Sequence, residues 1–293
     1  MGKAMKVFAI WIFICGGAAM VAGQVPATAH NPLQRQYHEG DALAYRMNGV
    51  NESWHYSMEA DGLVKKDAGG AYYEEYRWST IPSGGEAMMG TFRQRLSLDP
   101  NQMPSVPDLS KVDPKMIGPV TDFMTFYADL WLANKIGALT KVGDHFYFRN
   151  PMPASSWADG TRVLIGESAI DFDMTLKDVD AATGTAVLVV KHVPPEKSAV
   201  KLPAAWMQTP VGDVPNNWVG VTKEKNGSYT AAVGEENFIV EIKVSTADGK
   251  ILSATMDNAV KTIQRICEDE ALTKCGDAKP HDILRKIDIA LVQ

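Results

Sequence analysis

The chain has 293 residues, 45% hydrophobic and 22% charged, which excludes wholesale disorder and leaves ample length to bury a core. Its formal charge is −6, and with no Lys/Arg cluster it lacks the electrostatic footprint of a nucleic-acid binder. These figures exclude classes and name no activity.

The N-terminus reads MGKAMK, then the apolar VFAIWIFICGGAAMVAG. Two lysines, an apolar run and small residues are the three regions of a secretory signal peptide, in order. Cleavage is expected after Gly23, or after Ala29 in Ala27-Thr28-Ala29. Gly16 and Gly17 interrupt the run, which is short for the ~20 residues of a spanning helix, so no transmembrane segment is expected after cleavage. Loss of Lys3 and Lys6 leaves 27 basic against 35 acidic residues. Cys15 lacks the small residues that precede a lipidated cysteine and leaves with the leader. The expected organisation is a signal peptide over 1–23 (or 1–29), an extended segment over 24–37 and a single β-rich domain over 38–293. A periplasmic or secreted location follows.

From about His38 the apolar pattern has period two, which predicts strands over 42–48, 54–60, 63–67, 71–81 and 90–99. Asn48-Gly49, Asp61-Gly62 and Gly69-Gly70 are the expected turns between them. Five prolines between Pro100 and Pro119 predict an irregular linker over 100–118. A helix is expected over 119–136, where Val120, Phe123, Met124, Tyr127, Leu130 and Trp131 recur at helical spacing. Strands resume over 145–150, 162–167, 169–179 and 185–193, the last two joined at Asp180–Gly184. A second proline-rich stretch, 194–215, carries the apolar Trp206 and Met207. Strands follow over 217–225, 228–234, 237–246 and 250–257, with hairpin turns at Asn226-Gly227 and Asp248-Gly249. The segment 259–267 fits helix and strand alike, and the chain closes on an alternating strand. The expected fold is mainly β: a large curved antiparallel sheet or half-barrel of about a dozen strands, with one main α-helix packed on it.

Outside the leader, Cys267 and Cys275 are an even pair at short spacing, which in an exported chain reads as a disulfide. Zinc needs two further ligands and only His281 is near, so no metal is expected. Catalytic signatures such as HExxH, G-x-S-x-G, GxGxxG and the P-loop are absent from the sequence, and no cofactor is expected. His38, His55, His145, His192 and His281 are scattered and read as surface or strand histidines. Asp171 and Asp173 flank Phe172 on a strand, so both carboxylates leave one face; the choice is between an acid pair and a solvated strand face. A long loop carrying Trp206 and Met207 is either packed over the sheet or a lid on a cavity.

The run GEENFIVEIKVSTADGKILSATMDN, with Cys267 and Cys275 after it, resembles exported β-rich proteins of environmental bacteria that have no assigned activity. In layout, one helix against a long antiparallel sheet is similar to periplasmic carrier folds of the lipoprotein-localisation type. The resemblance brings no activity with it; the curved-sheet layout, the apolar helix, the long loop with Trp206 and Met207 and the lack of catalytic signatures lead to the expectation of an exported, non-enzymatic, monomeric protein whose partner is an apolar small molecule or lipid. The expected ligand-binding residues are Phe123, Tyr127 and Trp131 on the helix, with Trp206 and Met207 on the loop. The alternatives are a hydrolase built on Asp171/Asp173 and a secreted structural or adhesion module.

Overall fold

The computed structural model describes residues 31–81, 87–102, 104, 108–151, 156–158, 161–164, 169–193 and 203–292. The signal-peptide reading and the first part of the second proline-rich stretch lie outside them. In chain order the strands are β1 (Ala42–Asn51), β2 (Trp54–Lys66), β3 (Tyr72–Thr80), β4 (Met89–Leu96), β5 (His145–Pro151), β6 (Ser156–Ala158) and β7 (Thr161–Leu164). They continue with β8 (Ala169–Asp180), β9 (Thr185–Val193), β10 (Trp218–Lys223), β11 (Tyr229–Ser245), β12 (Ile251–Cys267) and β13 (Lys279–Leu291). One α-helix, α1 (Ile117–Ile136), separates β4 from β5.

The strands form one antiparallel sheet in the order β4-β3-β2-β1-β13-β12-β11. At β11 the sheet divides. Residues 229–234 pair with β10, which leads to β7 and β6; residues 238–245 pair with β9, which leads to β8 and β5. Among the described residues no strand pair closes the sheet, so it is open and not a barrel.

Several expected turns are strand interior. Asp61-Gly62 lies within β2 and Asn48-Gly49 within β1. The reason is close approach, not positive φ. Gly62 is opposite Tyr76, and a β-carbon there would lie 2.3 Å from its ring; at Gly49, opposite Tyr56, the separation would be 2.0 Å. Each glycine makes room for a tyrosine that crosses its neighbour. In the same way 250–257 and 259–267 form the single strand β12, which settles the ambiguous segment as strand.

Helix α1 has no segregated polar face, and fourteen of its twenty residues are buried, Asp122 and Asp129 among them. A helix of that kind has no solvent face to present and must be surrounded. Phe123 is fully buried, its ring 5.0–5.3 Å from those of Tyr45, Tyr76 and Trp78 on the sheet. A separate, smaller core holds Met207, Val219, Val221, Tyr229, Ala231, Val233 and Leu272 around the disulfide between Cys267 and Cys275. The expected pairing of these cysteines is present.

Phe123→Ala removes the ring on which three sheet aromatics converge. It is expected to lower unfolding free energy by about 3–5 kcal/mol in a urea titration, and a loss below about 1 kcal/mol would contradict this packing.

Candidate functional site

Three polar clusters tie α1 to the sheet, and they differ in how well they are satisfied. The first is centred on Glu74 of β3. Tyr76 Oη donates to Glu74 Oε2 at 3.0 Å, Tyr127 Oη donates to the same oxygen at 2.5 Å, and Arg35 Nε donates to Oε1 at 2.9 Å. Both partners of this ion pair are about 1% exposed. Burial first, and then the Glu74 charge, push the Tyr76 and Tyr127 hydroxyls well above the ordinary phenol range, so both stay protonated donors.

The second cluster is at Asp122. Tyr56 Oη donates to Asp122 Oδ2 at 2.7 Å, and Arg285 of β13 donates to Oδ1. Both oxygens of this buried carboxyl are therefore hydrogen-bonded, one to a phenol and one to a guanidinium.

The third is the contact of Asp129 with His192, and it is unfinished. Asp129 lies seven residues after Asp122, on the same side of the helix. Its Oδ1 is 4.0 Å from His192 Nε2, beyond hydrogen-bond reach. Asp129 Oδ2 and His192 Nε2 are buried with no hydrogen-bond partner among the described residues. Burial raises the Asp129 carboxyl above its ordinary value, and His192 opposes the shift only in part.

Strand register places His192 in a row of rings. Phe148 is opposite Phe172, Phe172 opposite His192, His192 opposite Phe238, and Phe238 opposite Asn258. The imidazole centroid is 4.7 Å from that of Phe172 and 3.9 Å from that of Phe238. At the inner end Asn258 Nδ2 donates to Glu236 Oε1 at 2.7 Å, while its Oδ1 is also buried without a partner among the described residues. Phe238 and Asn258 are buried, whereas Phe172 and Phe148 are half-buried. The row is therefore an apolar track from strand β5, at the sheet margin, to three unsatisfied polar atoms beneath the helix. Among the described residues those three atoms still have hydrogen bonds to make.

The expected ligand residues do not form one site. Phe123 and Tyr127 belong to the main core and Trp131 packs at its margin, its Nε1 donating to the carbonyls of Asp99 and Gln102. Trp206 and Met207 belong to the second core, where Trp206 Nε1 donates to the Leu272 carbonyl at 3.3 Å and Arg265 stacks on the indole. The loop folds onto β10–β12 because Leu272, in the disulfide loop, gives it an apolar partner. The acid pair also has neighbours of its own on β5: Tyr147 Oη donates to Asp171 Oδ2 at 2.6 Å, and His145 Nε2 is 2.5 Å from Asp173 Oδ1. Phe172 leaves the opposite face of β8, so these acids lie away from the ring row.

Sequence reading missed Asp129, His192 and Asn258. An aspartate within an otherwise apolar helix is a signal for the first; the other two depend on register between distant strands. Among the described residues no three His, Cys, Asp or Glu side chains are grouped to hold a metal, and no helix is long and apolar enough to cross a membrane. No family model, curated protein or solved structure matches the chain.

The folded state holds the Asp129 proton more tightly than the unfolded chain does. Its effect on stability is therefore most favourable below the ordinary carboxylate range and worsens as pH rises through the raised folded value. Asp129→Asn is expected to stabilise by about 1–3 kcal/mol at pH 7, with a gain in Tm that shrinks toward pH 4. Melting curves from pH 4 to 8 that show no gain, or one independent of pH, would contradict the assignment.

Proposed function

We propose that this chain is an exported, non-enzymatic binding protein of the cell envelope, taking an apolar molecule with a hydrogen-bonding head. The observation that carries the reading is the track Phe148–Phe172–His192–Phe238, which leads from the sheet margin to unsatisfied atoms of Asp129, His192 and Asn258. Native interiors rarely leave such atoms unpaired, and a ligand head satisfies them. The head is one that both donates and accepts: Asn258 Oδ1 accepts, and Asp129, held toward its protonated form, donates. The body lies along Phe172 and Phe148, gaining about 0.8 kcal/mol per buried methylene before ordering costs. The disulfide supports an oxidising compartment, in agreement with the leader. The hydrolase alternative rests on Asp171 and Asp173, where Tyr147 donates to Asp171 and His145 stands beside Asp173, whose Oδ1 makes no hydrogen bond among the described residues.

The test is native mass spectrometry of protein purified from the envelope fraction of an exporting host, with lipid extraction of the same sample. An amphiphile of one tail class is expected on the wild type, its occupancy reduced at least about tenfold by Phe172→Ala and by Asp129→Leu, and unchanged by Trp206→Ala. Asp129→Asn, whose amide still donates, is expected to keep the ligand, which separates loss of the hydrogen bond from loss of the charge. Wild-type protein without a bound small molecule, or equal occupancy in all variants, would overturn the proposal.

A further inference from the structure

On the opposite face of the sheet, far along the order from the ring row, the first four strands carry charges across their outer surface. Nearly all are matched: Arg46 with Glu59 at 3.2 Å, Lys65 with Glu75 at 2.6 Å and Arg95 with Asp67 at 2.9 Å. Two are not. Arg77 of β3 and Arg93 of β4 are directly opposite each other, both exposed, and neither has an ion pair or hydrogen bond among the described residues. Like charges in that position repel and destabilise the strand pair. The β3–β4 register also shifts between Arg77 and Ser79, the kind of irregularity that re-aims a side chain. The two arginines line a shallow hollow of about 230 Å³ with Asp61, Leu63, Lys65 and Glu75. Glu75 is occupied by Lys65. Asp61, in register with Arg77, balances one guanidinium at most, and the second charge is left over.

We propose that Arg77 and Arg93 form an oxyanion site that takes a phosphate group. Two guanidiniums facing each other across neighbouring strands present several N–H donors to one tetrahedral anion. Such an anion removes the repulsion that the register imposes. The half-exposed Leu63 gives the hollow one apolar wall for whatever carries the phosphate. The site does not depend on the ring-row ligand, because it lies on the other face and shares no residue with it.

The experiment uses the full mature chain. Inorganic phosphate is titrated by isothermal calorimetry and by melting curves at ionic strength matched with chloride. In a second arm, cosedimentation with phosphatidylglycerol vesicles is compared with phosphatidylcholine vesicles. Phosphate is expected to raise Tm beyond matched chloride, with affinity at least about tenfold weaker in Arg77→Ala and in Arg93→Ala and unchanged in Arg46→Ala. Binding to the anionic vesicles alone, with the same dependence on Arg77 and Arg93, supports the site with a lipid headgroup as the phosphate source. Absence of binding in both arms, or binding insensitive to Arg77 and Arg93, would overturn it.

Discussion

Among the described residues, a wide open sheet and a single α-helix impose one constraint on everything else: α1 has to be buried on nearly every side. Twenty helical residues span about 30 Å, short of the breadth of a thirteen-strand sheet, so the helix must serve as the common contact for several strands. Gln94 of β4 donates to the Val120 carbonyl, Glu74 of β3 accepts from Tyr127, Tyr56 of β2 donates to Asp122 and Arg285 of β13 meets the same acid. A helix with an ordinary polar face fails here, because that face has no water to meet.

The same constraint explains the polar groups. A buried acid is tolerable when a cation and hydroxyl donors surround it, and Glu74 and Asp122 meet that condition. Asp129 does not. It is equally deep, yet the imidazole of His192 stands 4.0 Å away and both side chains keep atoms with no hydrogen-bond partner among the described residues. Around one helix the acids thus run from Glu74 and Asp122, each bonded to a guanidinium and a phenol, to Asp129, which has no such pair of donors among the described residues. Asp129 is not alone in this, since Arg35 Nη2 and Asn134 Nδ2 are also buried with no hydrogen-bond partner among the described residues.

Much of this was legible in the sequence. Period-two alternation marked the strands, and the apolar repeat from Val120 marked α1 to within two residues of its start. The hairpins at Asn226-Gly227 and Asp248-Gly249 and the Cys267–Cys275 pair were equally plain. Glycine misled where its purpose was space: Gly49 and Gly62 carry turn signals but yield to tyrosine rings across the strand. The site was the least legible part. Bulk and aromaticity drew attention to Phe123, Tyr127 and Trp206, which are core residues, whereas the polar atoms without partners are visible only once β8, β9, β11 and β12 are in register. His192 and Asn258 stand 66 positions apart and meet through Phe238, a relation that no local pattern encodes.

The central claim is that the α1–β9 contact is the weakly held end of an otherwise tightly fixed helix–sheet unit. Amide hydrogen exchange resolved by residue tests this most directly. The amides around Asp129 on α1 and around His192 on β9 should exchange through a local opening at least about tenfold faster than those flanking Glu74, Tyr76 and Phe123. Uniform protection of these segments, at the level of global unfolding, would contradict the account.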